Sequence, residues 1–266
     1  MARSGAGGRL EGREDRPGGP TQKERARRGA PPPGDTVRFD PIPESRQPAA
    51  IDPAYGSTLR RGPRHPPIAV ACEAATGAGV RFGPDAVPPG ACDLTNRGRD
   101  EPLGQRIVVT GRVLDEDGRP VRRSLIEIWQ CNAAGRYTHA NDQHRAPLDP
   151  NFSGEGRTLT DDDGRYRFIT IRPGAYPWNN HANAWRPAHI HFSLFGNVHA
   201  QRLVTQMYFP DDPLIPYDAI INTIPDEAAR RALVSRFSME ETIADEALGY
   251  VHDIVLRGRG ATPFGL

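Results

Sequence analysis

The sequence predicts a mostly β protein, with an antiparallel β-sandwich or barrel-like core, an extended N-terminal arm and a few short helices. Three observations predict it. Short runs rich in β-branched and aromatic residues alternate apolar and polar positions, the period of a half-buried strand. Clusters of Gly, Pro and Asp separate these runs at intervals of roughly ten residues, which suits a sandwich. Only residues 225–236 carry the start and stop signals of a helix.

Residues 1–36 are dominated by Gly, Pro, Arg and Glu, with almost no large apolar side chain. Such a segment cannot bury enough surface to offset its ordering entropy, so a disordered tail is expected. Residues 37–105 are expected to form an extended arm and loops. Val37, Phe39, Ile42, Ile51, Tyr55 and Leu59 recur there in Pro- and Arg-rich sequence, as in a strap laid over another surface. The sandwich domain is expected over residues 106–266.

Its first strand is R-I-V-V-T-G-R-V-L-D from Arg106, followed by the turn Glu116 to Pro120. In S-L-I-E-I-W-Q-C-N, Leu125, Glu127 and Trp129 take one face, and Ile126, Ile128 and Gln130 the other. Further strands are expected at Arg157 to Thr160, Tyr166 to Ile171, His189 to Leu194, Leu203 to Tyr208 and Tyr250 to Arg257. Asp161-Asp162-Asp163-Gly164 lacks the continuation of a calcium loop and reads as a hairpin turn. The helix over 225–236 has Pro and acids in its first turn and Arg at its end, with Leu233, Val234 and Phe237 as its apolar side.

Composition removes several classes of function. Lys and Arg number 34 against 33 Asp and Glu, a net charge of +1, so neither nucleic acid nor an anionic membrane is an expected partner. The three cysteines, Cys72, Cys92 and Cys131, form no C-x-x-C pair, which argues against a disulfide framework or a thiolate zinc site. No apolar run is long enough to span a membrane, and the N-terminus lacks a signal-peptide core. A soluble, cytoplasmic protein is expected.

Chemistry concentrates in Y-P-W-N-N-H-A-N-A-W-R-P-A-H-I-H-F, from Tyr176 to Phe192. His189 and His191 flank Ile190, and alternate residues of a strand share a face roughly 7 Å apart. Two imidazoles so placed can share one metal ion. A lone H-x-H is more often a pair of ordinary part-buried histidines, so the neighbouring donors matter. No carboxylate follows closely, and the oxygen donors at hand are Tyr176 and Tyr137. Phenolate is a hard anionic ligand with an unperturbed pKa near 10, so only a strongly Lewis-acidic cation such as ferric iron would hold it deprotonated.

At these residues the chain resembles the intradiol ring-cleavage dioxygenases. The resemblance is carried by G-R-V-L-D-E-D-G-R-P-V, I-E-I-W-Q-C-N-A-A-G-R-Y-T-H, L-D-P-N-F-S-G-E-G-R-T-L-T-D-D-D-G-R-Y-R-F, I-R-P-G-A-Y-P-W-N-N, W-R-P-A-H-I-H-F, Q-M-Y-F-P-D-D-P-L-I-P and D-I-V-L-R-G, over about residues 52–260. It implies one non-haem Fe(III) per chain, held by Tyr137, Tyr176, His189, His191 and a solvent hydroxide. Two phenolates and one hydroxide neutralise Fe(III). It implies that a catecholic substrate, expected to be protocatechuate, binds as a dianion and displaces the hydroxide and Tyr176, with O2 then opening the ring to 3-carboxy-cis,cis-muconate.

The resemblance makes Arg186 a permanent cation beside the ring; its ordinary reading is a surface salt bridge or a guanidinium stacked on Trp185. It places Gln206, otherwise a strand amide, near Arg186 and the iron-bound solvent. Trp178 and Ile220 become walls of the substrate pocket rather than core. Tyr55, in D-P-A-Y-G-S-T, becomes a hydrogen-bond partner of the substrate carboxylate. A homologous alpha subunit without the ligands is the implied partner, in a higher hetero-oligomer. His65, His139, His144, His181, His199 and His252 read as surface or satisfied histidines, and Cys131 as a small residue at a strand end.

Two other readings stand beside this one. Cleavage of catechol or hydroxyquinol uses the same chemistry, but those relatives bring a helical N-terminal region that residues 1–105 are too poor in apolar helical periodicity to supply. A non-catalytic β-sandwich binding module would be expected to lack at least one of the four ligand positions. All four are present.

Overall fold

Strand β1, Arg106–Leu114, is the centre of the larger sheet. Its structure comes from a computed structural model that describes residues 42–65, 86–96, 98–196 and 202–265, all within the unit Phe39–Leu266. The expected tail, Cys72 and His199 lie outside the described residues. Strands β2 (Leu125–Trp129), β3 (Glu155–Leu159) and β4 (Arg165–Ile171) follow, then two short strands, β5 (Tyr176–Pro177) and β6 (Trp185–Arg186). After these come β7 (His189–Phe195), β8 (Arg202–Tyr208), β9 (Arg236–Ile243), β10 (Ala247–Val251) and β11 (Ile254–Val255).

One sheet has the order β3-β2-β7-β8, antiparallel throughout. In the other, β4 pairs antiparallel with one edge of β1, while β10 and then β11 run parallel along its opposite edge and β9 pairs antiparallel with β10. Strict alternation sends Ile107, Val109 and Val113 of β1, Ile126 and Ile128 of β2 and Ile190, Phe192 and Leu194 of β7 into one buried cluster with Phe168 and Met207. Each such side chain contributes about 1.5–3 kcal/mol by leaving water. A smaller cluster of Tyr208, Ile221, Ile224, Ala229 and Leu233 includes residues of two short helices, α2 (Ala219–Asn222) and α3 (Glu227–Ala232). Among the described residues no helix is long and apolar enough to cross a membrane.

The expected turns form as their chemistry requires. Asp161 Oδ1 accepts the backbone N–H groups of Asp163 and Arg165, and Gly164 takes the left-handed φ of 71° that closes the hairpin. Three expectations need correction. The helix over 225–236 is confined to Glu227–Ala232, because Asp226 caps it by accepting from Ala228 N and the chain turns out at Leu233. Phe237 therefore lies on β9, 41% exposed, where pairing with β10 overrides a polar local sequence. The single strand expected over 250–257 breaks at His252 and Asp253, where Asp253 Oδ1 accepts from Arg112 N.

The described arm is fastened by polar contacts. A helix α1, Thr58–Arg61, follows a 3-10 turn at Glu44–Arg46. Buried Arg46 donates from Nε to Ala261 O at 3.0 Å and pairs with Asp226 at 3.1 Å. Ala49 N donates to Thr223 O, and the Asn180 side chain donates to Ala54 O.

His252 is only partly satisfied. Its carbonyl accepts from Tyr166 Oη at 2.5 Å, but the buried Nε2 has no hydrogen-bond partner and the ring lies 5.6 Å from Phe192. Burial lowers its pKa from 6.5 to about 4. The folded state thus binds fewer protons than the unfolded chain. The associated stability is complete above pH 6.5 and is lost as pH falls from there to about 4, by up to about 3 kcal/mol. Urea midpoints at pH 7 and pH 5 are expected to fall further for the wild type than for His252→Phe; equal falls would refute this.

Candidate metal centre

His189 and His191 project from the face of β7 opposite Ile190, Phe192 and Leu194, as the two-residue period of a strand demands. Register fills that face. His189 pairs with Tyr208 and His191 with Gln206 on β8, and Trp129 of β2 pairs with His191 from the other side. Trp129 stacks on the His191 ring, with centroids 4.8 Å apart and planes 3° from parallel. The two imidazoles lie 4.8 Å apart.

Two phenols meet these rings. Tyr137 Oη is 3.2 Å from His191 Nε2, and Tyr176 Oη is 3.2 Å from His189 Nε2. The phenol rings are 5.4 Å apart, edge to face. Tyr176 is held by the β5–β6 pair, directly opposite Arg186. Tyr137 follows a turn in which Gly135 adopts φ 79°; a Cβ there would lie 2.3 Å from Ala175 O, so the approach of this turn to the segment before Tyr176 requires glycine. Asp142 Oδ2 accepts from Tyr137 N at 2.7 Å and anchors the turn.

The protonation states follow from burial. Burial and the nearby Arg186 charge keep His189 far below the usual imidazole range and lower His191 to about 3, so both rings are neutral. At His189, Nδ1 lies 2.7 Å from Pro187 O; donation there leaves Nε2 as the lone-pair nitrogen facing the phenols. Burial raises Tyr137 and Tyr176 above the phenol range, Arg186 opposing the shift at Tyr176. Two neutral imidazole lone pairs and two phenols that ionise only beside a strong cation make a donor set suited to a hard trivalent metal ion. Among the described residues no three His, Cys, Asp or Glu side chains gather as a metal site, and this cluster depends on its tyrosines.

Arg186 is buried rather than on the surface, and the ring against its guanidinium is Trp178, at 5.6 Å, not Trp185. Trp178 in turn meets Tyr55 edge to face at 5.1 Å. Gln206 Oε1 accepts from Arg186 Nη2 at 2.6 Å. The structure thus brings together every predicted site residue but Ile220, which is buried and donates its backbone N–H to Asp218. Sequence reasoning missed four neighbours: Trp129, Tyr208, Asp218 and Arg61, which donates to Tyr55 Oη with its guanidinium carbon 4.9 Å from that ring. The pairing of Trp129 with His191 was open to a register argument. Asp218, distant in sequence from the motif, gave no signal. Cys131 is buried with its thiol pushed up to about 12, which leaves it unreactive at neutral pH.

Two phenols and two imidazoles thus gather beside one face of the sandwich. The chain belongs to the intradiol dioxygenase family: the family profile described as Dioxygenase matches residues 80–258. The protocatechuate 3,4-dioxygenase beta chain of Burkholderia cepacia is 59% identical over 218 residues, 81% of this chain and 92% of that one. The protocatechuate 3,4-dioxygenase alpha chain of Pseudomonas putida is 32% identical over 166 residues, 60% of this chain and 76% of that one. Among solved structures, 3-chlorocatechol 1,2-dioxygenase of Rhodococcus opacus 1CP superposes with a TM-score of 0.49 at 24% identity, over 66% of this chain and 69% of that one.

Proposed function

We infer that this chain is the iron-bearing beta subunit of a protocatechuate 3,4-dioxygenase, opening protocatechuate with O2 to 3-carboxy-cis,cis-muconate. The observation that carries this reading is the convergence of half-buried Tyr137, Tyr176 and His191 on buried His189, beside the fixed cation Arg186. The 59% identity to a protein of that name supports the choice of substrate.

In this reading the two imidazole Nε2 atoms and the two phenol oxygens hold Fe(III). When bound there, ferric iron supplies the Lewis acidity that draws a catechol in through its oxygens and prepares its ring for O2. The rest is work for the chain's own residues. A catechol must lose two protons to bind as a dianion; Tyr176 Oη, whose proton affinity burial raises, would take one when ionised, and hydroxide from solvent would take the other. Burial works against charge on Arg186, but the Asp218 carboxylate paired with it opposes that, and the guanidinium stays protonated as a fixed stabiliser of negative charge on the ring. Gln206 accepts from that guanidinium and helps to hold it. Trp178 and Tyr55 form an aromatic wall, and Arg61 adds a cation behind the Tyr55 hydroxyl. A phenol backed by a guanidinium suits an anionic ring substituent, which protocatechuate has and catechol lacks. The reading includes a homologous alpha subunit as partner and a cytoplasmic setting.

The test is a visible spectrum of iron-loaded protein, co-expressed with its alpha-type partner, before and after anaerobic protocatechuate. A tyrosinate-to-iron band that moves to longer wavelength with substrate is expected, and ring-opened product on admitting air. A colourless iron-loaded protein would overturn the four-ligand assignment. A coloured protein that turns over catechol but not protocatechuate would overturn the substrate.

A further inference from the structure

We propose that Asp218 is a positioning residue, which aims Arg186 at the candidate metal centre and ties that aim to helix α2. The proposal rests on the function inferred above. Asp218 has no exposed surface and sits between a 3-10 turn, Ile215–Tyr217, and helix α2. Both its oxygens are saturated. Oδ1 accepts from Arg186 Nε at 3.1 Å and from Ile220 N at 3.1 Å; Oδ2 accepts from Arg186 Nη2 at 3.0 Å and from Tyr208 Oη at 2.8 Å.

The bidentate grip takes the Nε–Nη2 edge of the guanidinium, and Gln206 and Tyr208 also contact Nη2. That leaves Nη1 as the nitrogen turned toward the cluster, 3.4 Å from His189 Nε2. A planar fork held along one edge cannot rotate, so its other edge points in a fixed direction. The same carboxylate caps α2 through Ile220 N, so rotation of the Asp218 side chain would disturb the cation and the helix together. Preorganised charge of this kind acts without reorganising during the reaction. The buried partner of the cation is therefore as much a part of the device as the cation.

The test is a double-mutant cycle of Asp218→Asn and Arg186→Gln in iron-loaded enzyme with its partner subunit, joined to a crystal structure of Asp218→Asn. In the wild-type background Asp218→Asn is expected to lower kcat about 100-fold, with tyrosinate colour and iron content retained. In the Arg186→Gln background the same change is expected to lower it less than about threefold, because the two side chains act as one unit. The structure should show the guanidinium turned from His189 with Tyr137, Tyr176, His189 and His191 in place. Tyr208→Phe, which removes a single hydroxyl, is expected to give a smaller loss in the same sense and serves if Asp218→Asn does not fold. Equal losses in both backgrounds, or an unmoved guanidinium, would overturn the proposal. A wild-type enzyme that is coloured but cleaves no catechol would instead count against the inferred function.

Discussion

Loaded with iron and purified with its partner subunit, the His191→Ala variant is expected to be colourless, depleted in metal and at least about 1,000-fold less active toward protocatechuate. His191 is fixed by its surroundings. Trp129 lies flat against one side of its ring, Gln206 is its register partner on β8, and Nε2 faces Tyr137 Oη. Removing the imidazole leaves three donors, two of them phenols whose ionisation burial opposes. Without a strongly held cation those phenols return to their protonated forms and the charge-transfer colour disappears. His252→Phe removes another buried imidazole, one remote from the cluster, and is expected to retain full colour. Metal analysis of the two variants decides the matter; a red-brown, iron-replete His191→Ala protein would end the four-ligand assignment.

Arg186→Gln is expected to separate chemistry from metal binding. Colour and iron should remain, while kcat falls about 10²–10³-fold, the scale of losing one preorganised charge at a developing anion. A second effect accompanies it. Asp218 would keep a buried carboxylate without its cation, and breaking such a pair costs about 3–5 kcal/mol. Thermal melts of the iron-loaded enzyme should therefore show Arg186→Gln destabilised and the double variant with Asp218→Asn partly restored. A kcat within a few-fold of wild type would remove Arg186 from the reaction.

Most of the sheet framework was legible because burial on one face imposes a period of two. The Val and Ile runs of β1 and β2, and the H-I-H alternation of β7, carry it openly. Strand β9 was not legible: in Arg236–Ile243 it is Ser238 that is buried while Phe237 and Met239 are exposed, so the apolar pattern points away from the core and pairing with β10 makes the strand. Strands β5 and β6 have two residues each, too short for any period, yet their pairing sets Tyr176 opposite Arg186. The donor residues were visible because His and Tyr announce metal chemistry and because the motifs around them resemble a family. Their supports were not. Tyr208 is the last residue of an expected strand and Asp218 lies outside every expected element, and each acquires its role from partners that the fold alone brings near.

The parallel closure of β1 has a consequence for how the protein is made. Leu114 ends the strand, but its partners on that edge begin only at Ala247 and Ile254, after every other strand of the sandwich. As the chain leaves the ribosome, β1 can take β4 on one side and must wait with its other edge bare until residues 247–255 have been made. A long apolar strand with unmet backbone donors invites strangers to pair with it.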